Sequence, residues 1–184
     1  MKIKFRLVPL VFGALFAIAH ADNAPVSILS TNPGFEDGIE GWSLKDTDAV
    51  AKLSQVLPEA AHTGKMGLRV NQAAGQSGQW IASSQMLVVP QQKYRITFWV
   101  RTLADSHAAV SMRFIGADGS NSIDTAKPPL NMLQIQGGIY DWTECQFDAQ
   151  APTGAVGAVI AVHAYNKAAC EADFDDFSVV PVNP

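Results

Sequence analysis

The sequence predicts an all-β protein, an antiparallel β-sandwich in a single domain. Three observations lead to this fold class: apolar and polar residues alternate along several segments, glycine and proline interrupt the chain at short intervals, and few segments between them could hold a long helix. The clearest alternation is in "YRITFWVRT", where Tyr94, Ile96, Phe98 and Val100 alternate with polar residues and one Trp. We therefore expect this strand to turn one face to the core.

Six further segments have the character of strands. They are "GLRVNQ", "WIASSQMLVV", "AVSMRFIG", "DWTECQFDA", "GAVIAVHAY" and "ADFDDFSVV". In the last of these, alternation predicts that Asp175, Phe177 and Val179 share the face turned to the core. Between Asp105 and Gly138 the pattern is weakest, and "GADGSNSIDTAKPPL" suggests a long exposed loop. About eight to ten short strands in all indicate a sandwich.

The amino terminus predicts export. Three basic residues precede a nearly uninterrupted apolar run over 7–18, and "AHA" then supplies the small residues that a signal peptidase requires. The run is too short to span a bilayer comfortably, although an uncleaved membrane anchor is the alternative. We expect residues 1–21 to be a signal peptide and residues 22–184 to be the mature domain, secreted or periplasmic, monomeric and free of the membrane after cleavage.

The charge balance argues against a nucleic-acid partner. Without the three basic residues of the leader, 10 basic residues remain against 17 acidic ones, and the basic residues are not clustered. Contacts with phosphate need clustered lysine and arginine.

The chain has two cysteines, Cys145 and Cys170. In an oxidising compartment, two cysteines that are the only ones in a chain tend to form a disulfide, and we expect one here. Two separate buried thiols are the alternative.

Five motifs occur in an order typical of one family: "NPGFEDGIEGWSL", "AHTGKMGLRV", "VVPQQKYRITFWVRT", "DWTECQFDAQAPTGA" and "ADFDDFSVV". Together they resemble the carbohydrate-binding modules attached to bacterial cellulases and xylanases, in families four, nine, sixteen and twenty-two. One departure is Gln91, where the family usually has glycine. The resemblance implies a jelly-roll sandwich with a concave sheet that binds polysaccharide or oligosaccharide, a structural calcium and no catalytic activity.

The resemblance also implies a set of calcium ligands. The Glu of "GFE", backbone oxygens of the "HTGK" turn and an Asp of the "DD" pair correspond to Glu36, to the carbonyls of Thr63 and Lys65, and to Asp175 or Asp176. Such a mixture of carboxylates and carbonyls suits Ca²⁺. The alternative is that Glu36 and Asp175 cap turns or pair with basic side chains.

Six residues are candidate glycan contacts. A sugar ring has an apolar face and a hydroxyl rim, so its site needs a flat aromatic and hydrogen-bonding groups. By resemblance, Trp80 occupies the position of a stacking Trp. Alternation places the other five on outward faces, and an outward arginine could instead pair with a cross-strand acid. The six candidates are Trp80, Trp99, Arg101, Arg113, His163 and Tyr165; they converge only if their strands share a sheet.

Two other functions are open. An exported protein-interaction or adhesion module is the first alternative. The second is a polysaccharide lyase, because His163 and Tyr165 are two residues apart on one predicted strand. Paired carboxylates for glycoside hydrolysis are not suggested by any spacing in the chain.

Overall fold

The computed structural model describes residues 26–45, 54–119, 131–138 and 141–182. The predicted leader lies outside these ranges, as does most of the loop predicted between residues 116 and 130. The described residues form eleven strands: β1 (Trp42–Lys45), β2 (Ser54–Leu57), β3 (Gly67–Gln72), β4 (Trp80–Ser83), β5 (Met86–Leu87), β6 (Lys93–Thr102), β7 (His107–Gly116), β8 (Met132–Gln136), β9 (Thr143–Gln150), β10 (Ala155–Ala164) and β11 (Cys170–Val182). A single turn of 3-10 helix, Pro58–Ala60, follows β2.

The strands form two antiparallel sheets. Sheet A has the order β1-β4-β10-β7-β8, with β5 also paired to β10, and sheet B has the order β2-β3-β11-β6-β9. Consecutive strands repeatedly belong to different sheets, which closes one core between the two layers. The predicted all-β jelly-roll sandwich is confirmed. In the described ranges, no helix is long and apolar enough to cross a membrane.

The core lies between the inner faces of the two sheets. Phe98 of β6 and Phe174 of β11 meet Ile81 of β4 and Ile160 of β10 there, and all four are fully buried. The alternation predicted for β6 is confirmed, because every second residue from Tyr94 to Thr102 is buried. Throughout, the outer face of a sheet is the face turned away from the other sheet.

The stretch around Phe35 closes one end of this core. Phe35 packs against Trp42 and Phe177, with ring centroids 4.8 Å and 6.1 Å away. The indole of Trp42 donates a hydrogen bond to the carbonyl of Asn32 over 3.0 Å. Trp42 is therefore a core residue, with its polar atom satisfied at the edge.

A β-bulge corrects the face predicted for Asp175. The pairing of β11 with β6 shifts between Asp175 and Ser178, and Asp176 has a φ of 51°. Because Asp175 pairs with the outward Trp99, it lies on the outer face of sheet B. The extra residue of the bulge then returns Phe177 to the core. The prediction that Asp175 and Phe177 share a face is wrong, although Asp175 is fully buried under the loop that carries His62.

The predicted disulfide is also wrong, because the register of sheet B keeps the cysteines apart. Cys145 pairs with Phe98 on β6, whereas Cys170 lies two residues before Ala172, the partner of Thr102. The two are thus two strands and about six residues apart, roughly 20 Å at ordinary strand spacings. A disulfide requires Cα atoms within about 7 Å. Both thiols are free, and burial raises the pKa of Cys170 to about 12.

The turn before β6 shows the effect of the departure at Gln91. Gln91 has a φ of 63°, a left-handed conformation that glycine adopts without strain. Its amide N–H donates to the carbonyl of Ala151, so the turn is held in this geometry. We expect Gln91→Gly to raise the free energy of unfolding by up to about 1 kcal/mol, as measured by urea denaturation. A loss of stability in this variant would show that contacts of the Gln91 side chain outweigh the backbone strain.

Candidate functional site

Four of the six predicted glycan contacts lie together on sheet A. Trp80 begins β4 and pairs with His163 near the end of β10. Their neighbours Ile81 and Val162 are fully buried in the core, so Trp80 and His163 occupy the outer face. Arg113 of β7 is on the same face, since it pairs with Val159, four residues before His163. Tyr165 follows β10, and its N–H donates to the carbonyl of His107.

The side chains of these four residues form a continuous row of contacts from Arg113 through Trp80 and His163 to Tyr165. The rings of Trp80 and His163 stack, with centroids 5.5 Å apart and an interplanar angle of 20°. The ring of Tyr165 meets that of His163 edge-on at 5.1 Å. The guanidinium carbon of Arg113 lies 4.7 Å from the centroid of the Trp80 ring, within the range of a cation–π interaction. The predicted outward faces of β4, β7 and β10 therefore converge.

A pocket of about 440 Å³ opens beside this cluster. Its lining comes from the chain entering β4 and the chain leaving β10: Ser77, Gly78, Gln79, Trp80, His163, Ala164, Tyr165 and Asn166. Backbone hydrogen bonds join the two segments, from Ala164 to Gln79 and from Lys167 to Gln76. Gly78 is required for their close approach, because a Cβ at this position would lie 2.6 Å from the carbonyl oxygen of Ala164. The wall of the pocket is thus fixed by the backbone.

Two polar atoms of the cluster are buried without a partner. Nδ1 of His163 and the hydroxyl of Tyr165 have no hydrogen bond among the described residues. A buried polar group without a hydrogen bond costs about 1 to 3 kcal/mol, so such groups usually meet a ligand or water. Burial, and then the charge of Arg113, lower the pKa of His163. The imidazole is therefore neutral at pH 7, with one nitrogen able to donate and the other to accept.

Small residues form the floor of the outer face next to the cluster. Ala82 of β4 pairs with Ala161 of β10, which pairs with Ser111 of β7. Ala109 of β7 pairs with His163. Successive side chains of a strand point to opposite faces of the sheet, and paired residues point to the same face, so these four residues share the face of Trp80. Ala109 and Ala161 are fully buried, so larger neighbouring side chains cover this part of the face.

The other two predicted contacts, Trp99 and Arg101, lie on sheet B and do not join this site. Both belong to β6, on the opposite layer of the sandwich. The ring of His62 covers Trp99 at 3.9 Å and 12°, and Trp142 meets His62 edge-on at 5.2 Å. The guanidinium of Arg101 lies over Trp142 at 4.8 Å. These groups stack on one another, and so the face of Trp99 is already occupied.

Arg101 has the cross-strand partner that was the alternative to ligand contact. It pairs in register with Asp173 of β11, and its Nε donates to the Asp173 carboxylate over 3.0 Å. Arg69 of β3 donates to the same carboxylate over 2.7 Å and 3.0 Å. Asp173 is fully buried between the two guanidinium groups. This cluster therefore stabilises sheet B through ion pairing and hydrogen bonds.

The five predicted calcium ligands lie at one corner of the sandwich. The backbone amides of His62 and Thr63 donate to Asp175, and those of Lys65 and Met66 donate to Glu36. The side chains of His62 and Thr63 hydrogen-bond to Asp176. Glu36 and Asp175 thus accept the backbone amides of the turn at 62–66, as in the alternative in which they cap turns, and the calcium site stays a prediction.

The donor chemistry of this corner fits Ca²⁺. A Cβ built on Gly34 would lie 3.4 Å from Oδ1 of Asp175 and 3.5 Å from Oδ1 of Asp176, an ordinary van der Waals separation, so both carboxylate oxygens face the backbone of Gly34. Oxygen donors of this kind are those that Ca²⁺ prefers. In the described ranges, no three acidic, histidine or cysteine side chains already surround one point. Backbone carbonyls would have to supply further ligands.

The sequence profile of the family described as carbohydrate binding domain matches residues 28–169. The chain belongs to this family of carbohydrate-binding domains. The match extends from before Phe35 to the loop after β10, and thus includes the whole Trp80 site. No curated protein sequence matches the chain.

Solved structures of similar fold include carbohydrate-binding modules. The CBM22-1 xylan-binding domain of Paenibacillus barcinonensis Xyn10C has 16% identity and a TM-score of 0.60, over 88% of this chain and 99% of that one. A family 16 carbohydrate binding module has 17% identity and a TM-score of 0.57, over 81% and 96%. TmCBM61, solved with β-1,4-galactotriose, has 15% identity and a TM-score of 0.51, over 82% and 96%. At these identities the likeness supports the jelly-roll fold of this carbohydrate-binding domain.

The sequence alone did not identify several residues of the Trp80 pocket and of the stacked cluster around Trp99. Gln79 and Asn166 line the pocket of the carbohydrate-binding domain, but both lie outside the strands, where alternation assigns no face. Trp142 immediately precedes β9, and His62 lies in the turn after the 3-10 helix. Because both lie outside strands, alternation could not predict which way they face. For Asn166 a signal was available, because it follows Tyr165 directly.

Proposed function

We propose that this carbohydrate-binding domain binds a polysaccharide or oligosaccharide, without cleaving it, on the outer face of sheet A. The observation that carries the proposal is the meeting of Trp80, His163 and Tyr165 at one pocket, with two buried polar atoms that lack partners. The membership of the family supports binding of carbohydrate.

The chemistry of the pocket suits a sugar. A pyranose presents an apolar C–H face that can pack on the part of the Trp80 indole left exposed by His163 and Arg113, and hydroxyls that can both donate and accept. Neutral His163 and the Tyr165 hydroxyl offer complementary groups beside the indole. A rotation of the His163 and Tyr165 side chains toward the pocket would bring these atoms to a sugar hydroxyl, which could supply their missing hydrogen bonds. This gain favours a sugar over an apolar ligand.

Relatives of similar fold bind saccharides of different kinds. One is a xylan-binding domain, and another was solved with β-1,4-galactotriose. They support a glycan as the ligand class of this chain. The identity of the sugar has to be determined by experiment.

Affinity gel electrophoresis against a panel of soluble polysaccharides, with pull-down on insoluble ones, tests the proposal. We expect retardation on at least one polysaccharide and no retardation of the same preparation after unfolding. Migration unchanged by every polysaccharide would contradict glycan binding and favour the protein-interaction alternative.

The same panel tests for cleavage. His163 and Tyr165 share one face, as a lyase would require, but the proposed role is binding. We expect no release of reducing ends or of unsaturated products from a bound polysaccharide during prolonged incubation. If wild type released either product and His163→Ala did not, the function of the site would be catalysis and not binding alone.

We also propose that the corner at Gly34 binds a structural Ca²⁺. Glu36, Asp175 and Asp176 would supply carboxylate oxygens, and the carbonyls of Thr63 and Lys65 would complete the ligand set. The bound ion would neutralise Asp175, a fully buried carboxylate for which charge is costly.

The pKa of Asp175 makes this proposal testable by pH. Burial raises that pKa from 3.8 to about 6, so between these values the folded state binds more protons than the unfolded state. In chelator, this group therefore makes the free energy of unfolding fall as pH rises from 4 to 6. Ca²⁺ binds the ionised carboxylate, so we expect it to raise the melting temperature increasingly above pH 5.

Asp175→Asn is the control for the calcium prediction, because it has nearly the same size and no charge. Differential scanning calorimetry in Ca²⁺ and in chelator should show no effect of the ion on this variant. An equal effect of Ca²⁺ on wild type and on Asp175→Asn would place the ion elsewhere.

For the cell, we propose export through the predicted leader, cleavage after Ala21, and a monomeric domain in the periplasm or outside the cell. Amino-terminal sequencing of the protein from its native host would test the cleavage. Sedimentation of the mature chain would test its oligomeric state.

A further inference from the structure

The acidic residues of the chain are distributed unequally between the two sheets. The chain has 17 Asp and Glu against 13 Lys and Arg, yet none of the six strands of sheet A contains an Asp or a Glu. Sheet B contains six in its strands: Glu144, Asp148, Glu171, Asp173, Asp175 and Asp176. The loops that line the pocket, 73–79 and 165–168, also contain no carboxylate, and they contribute Lys167.

Arg113 differs from the other arginines in the described ranges. Arg69 and Arg101 pair with Asp173, and Arg95 pairs with Asp148. In the same ranges, Arg113 has no ion pair or hydrogen bond, and its contact is with the Trp80 ring. The residue is only partly exposed. A partly desolvated cation without a counter-ion is unfavourable, and an anion from outside the chain would relieve this cost.

The position of Arg113 directs this charge at the proposed glycan. Its guanidinium lies against the indole on which a sugar ring would stack, 4.7 Å from the ring centroid. The charge is also effective across the site, since it contributes to lowering the pKa of His163. A guanidinium carries five donors in a planar fork, which matches the two oxygens of a carboxylate and also suits a sulfate ester.

We propose that the ligand of the Trp80 site is an acidic saccharide, with an anionic group on or next to the stacked sugar ring paired with Arg113. This inference rests on the proposed glycan-binding function and specifies the class of glycan. The two neutral groups, His163 and Tyr165, would bind hydroxyls, and the strands of sheet A, which contain no carboxylate, would admit the anion without repulsion.

Polygalacturonate in methyl-esterified and de-esterified forms tests the proposal, because the two share one backbone and differ in whether each carboxyl group is a neutral methyl ester or a charged carboxylate. Dextran and dextran sulfate form a second pair, which distinguishes a sulfate from a carboxylate. We expect the charged member of at least one pair to bind at least about tenfold more tightly in affinity electrophoresis, the size expected for a charge-assisted hydrogen bond. Added NaCl should weaken this preference.

Arg113→Gln should abolish the preference and leave the weaker binding that depends on Trp80. Arg95→Gln is the matched control, since it removes an arginine from the outer face of sheet B. It should leave the affinities for the charged and the neutral polysaccharide unchanged. Melting temperatures would verify that both variants are folded. Equal affinity of wild type for charged and neutral members, or a preference that survives in Arg113→Gln, would overturn the inference.

The outcomes separate this inference from the proposed function. Binding of neutral glycans through Trp80, without preference for charge, leaves the proposed function intact and overturns only the acidic ligand. Absence of binding to any glycan, charged or neutral, overturns both. Loss of preference in Arg113→Gln but not in Arg95→Gln supports both.

Discussion

Trp80→Ala is expected to weaken binding of the glycan about 30- to 150-fold. Losing the stacked face of an indole removes roughly 2 to 3 kcal/mol of binding free energy, through lost apolar contact and lost ring interaction. The substitution also leaves His163 without its stacking partner and Arg113 without its cation–π contact. Isothermal titration calorimetry with the best oligosaccharide from the panel measures the effect. We expect Trp80→Phe to retain part of the affinity.

Trp142→Ala is the matched control for this prediction. Trp142 is also partly buried and in contact with an arginine, but it lies beside sheet B. Its removal should leave the affinity for the glycan unchanged. If Trp142→Ala and Trp80→Ala weakened binding equally, the binding surface would not be the outer face of sheet A.

Asp173→Ala is expected to cause the largest loss of stability, about 2 to 4 kcal/mol. Removing one partner of a buried ion pair leaves charges unpaired, and here both Arg69 and Arg101 lose their carboxylate. We place the loss somewhat below the usual range for buried pairs because the two arginine side chains are 22% and 26% exposed. Urea denaturation measures this loss, and glycan affinity should be unchanged at temperatures where the variant is folded.

Asp148→Ala provides the comparison on the same sheet. Asp148 pairs with Arg95 in a similar way, over 2.9 Å, but this pair is exposed. Its removal should cost much less stability, because water replaces the lost partner. Similar losses in Asp148→Ala and Asp173→Ala would show that burial does not determine the importance of these ion pairs.

The face of a strand could be predicted from the sequence wherever alternation is regular. In β6, β7 and β10, the predicted core residues are buried and the predicted outward residues include Arg113 and His163. Local pattern is sufficient in these cases, since each prediction concerns one strand.

The sheet to which a strand belongs could not be predicted in the same way. Trp99 and His163 each lie on an outward face, but strand order places them on opposite layers. Strand order depends on packing between distant segments, which leaves no periodic signal. The separation of Cys145 from Cys170 has the same origin, because register and not sequence distance determines which Cα atoms meet.

Local irregularities were the other source of error. The bulge at Asp175 inverts the alternation of β11 with a single extra residue, and neither hydrophobicity nor glycine marks its position. The short strands β2 and β8 were not predicted, since four or five residues contain too few alternations to recognise.

The most direct test of the account is an ¹H–¹⁵N spectrum of the four tryptophan indoles during titration with the saccharide that binds best. Trp80 alone among them lies on the outer face of sheet A, whereas Trp42 is buried in the core and Trp99 and Trp142 belong to the cluster beside sheet B. We expect the indole signal of Trp80 to shift in a saturable way while the other three stay in place. Shifts at Trp99 or Trp142 with no change at Trp80 would contradict it.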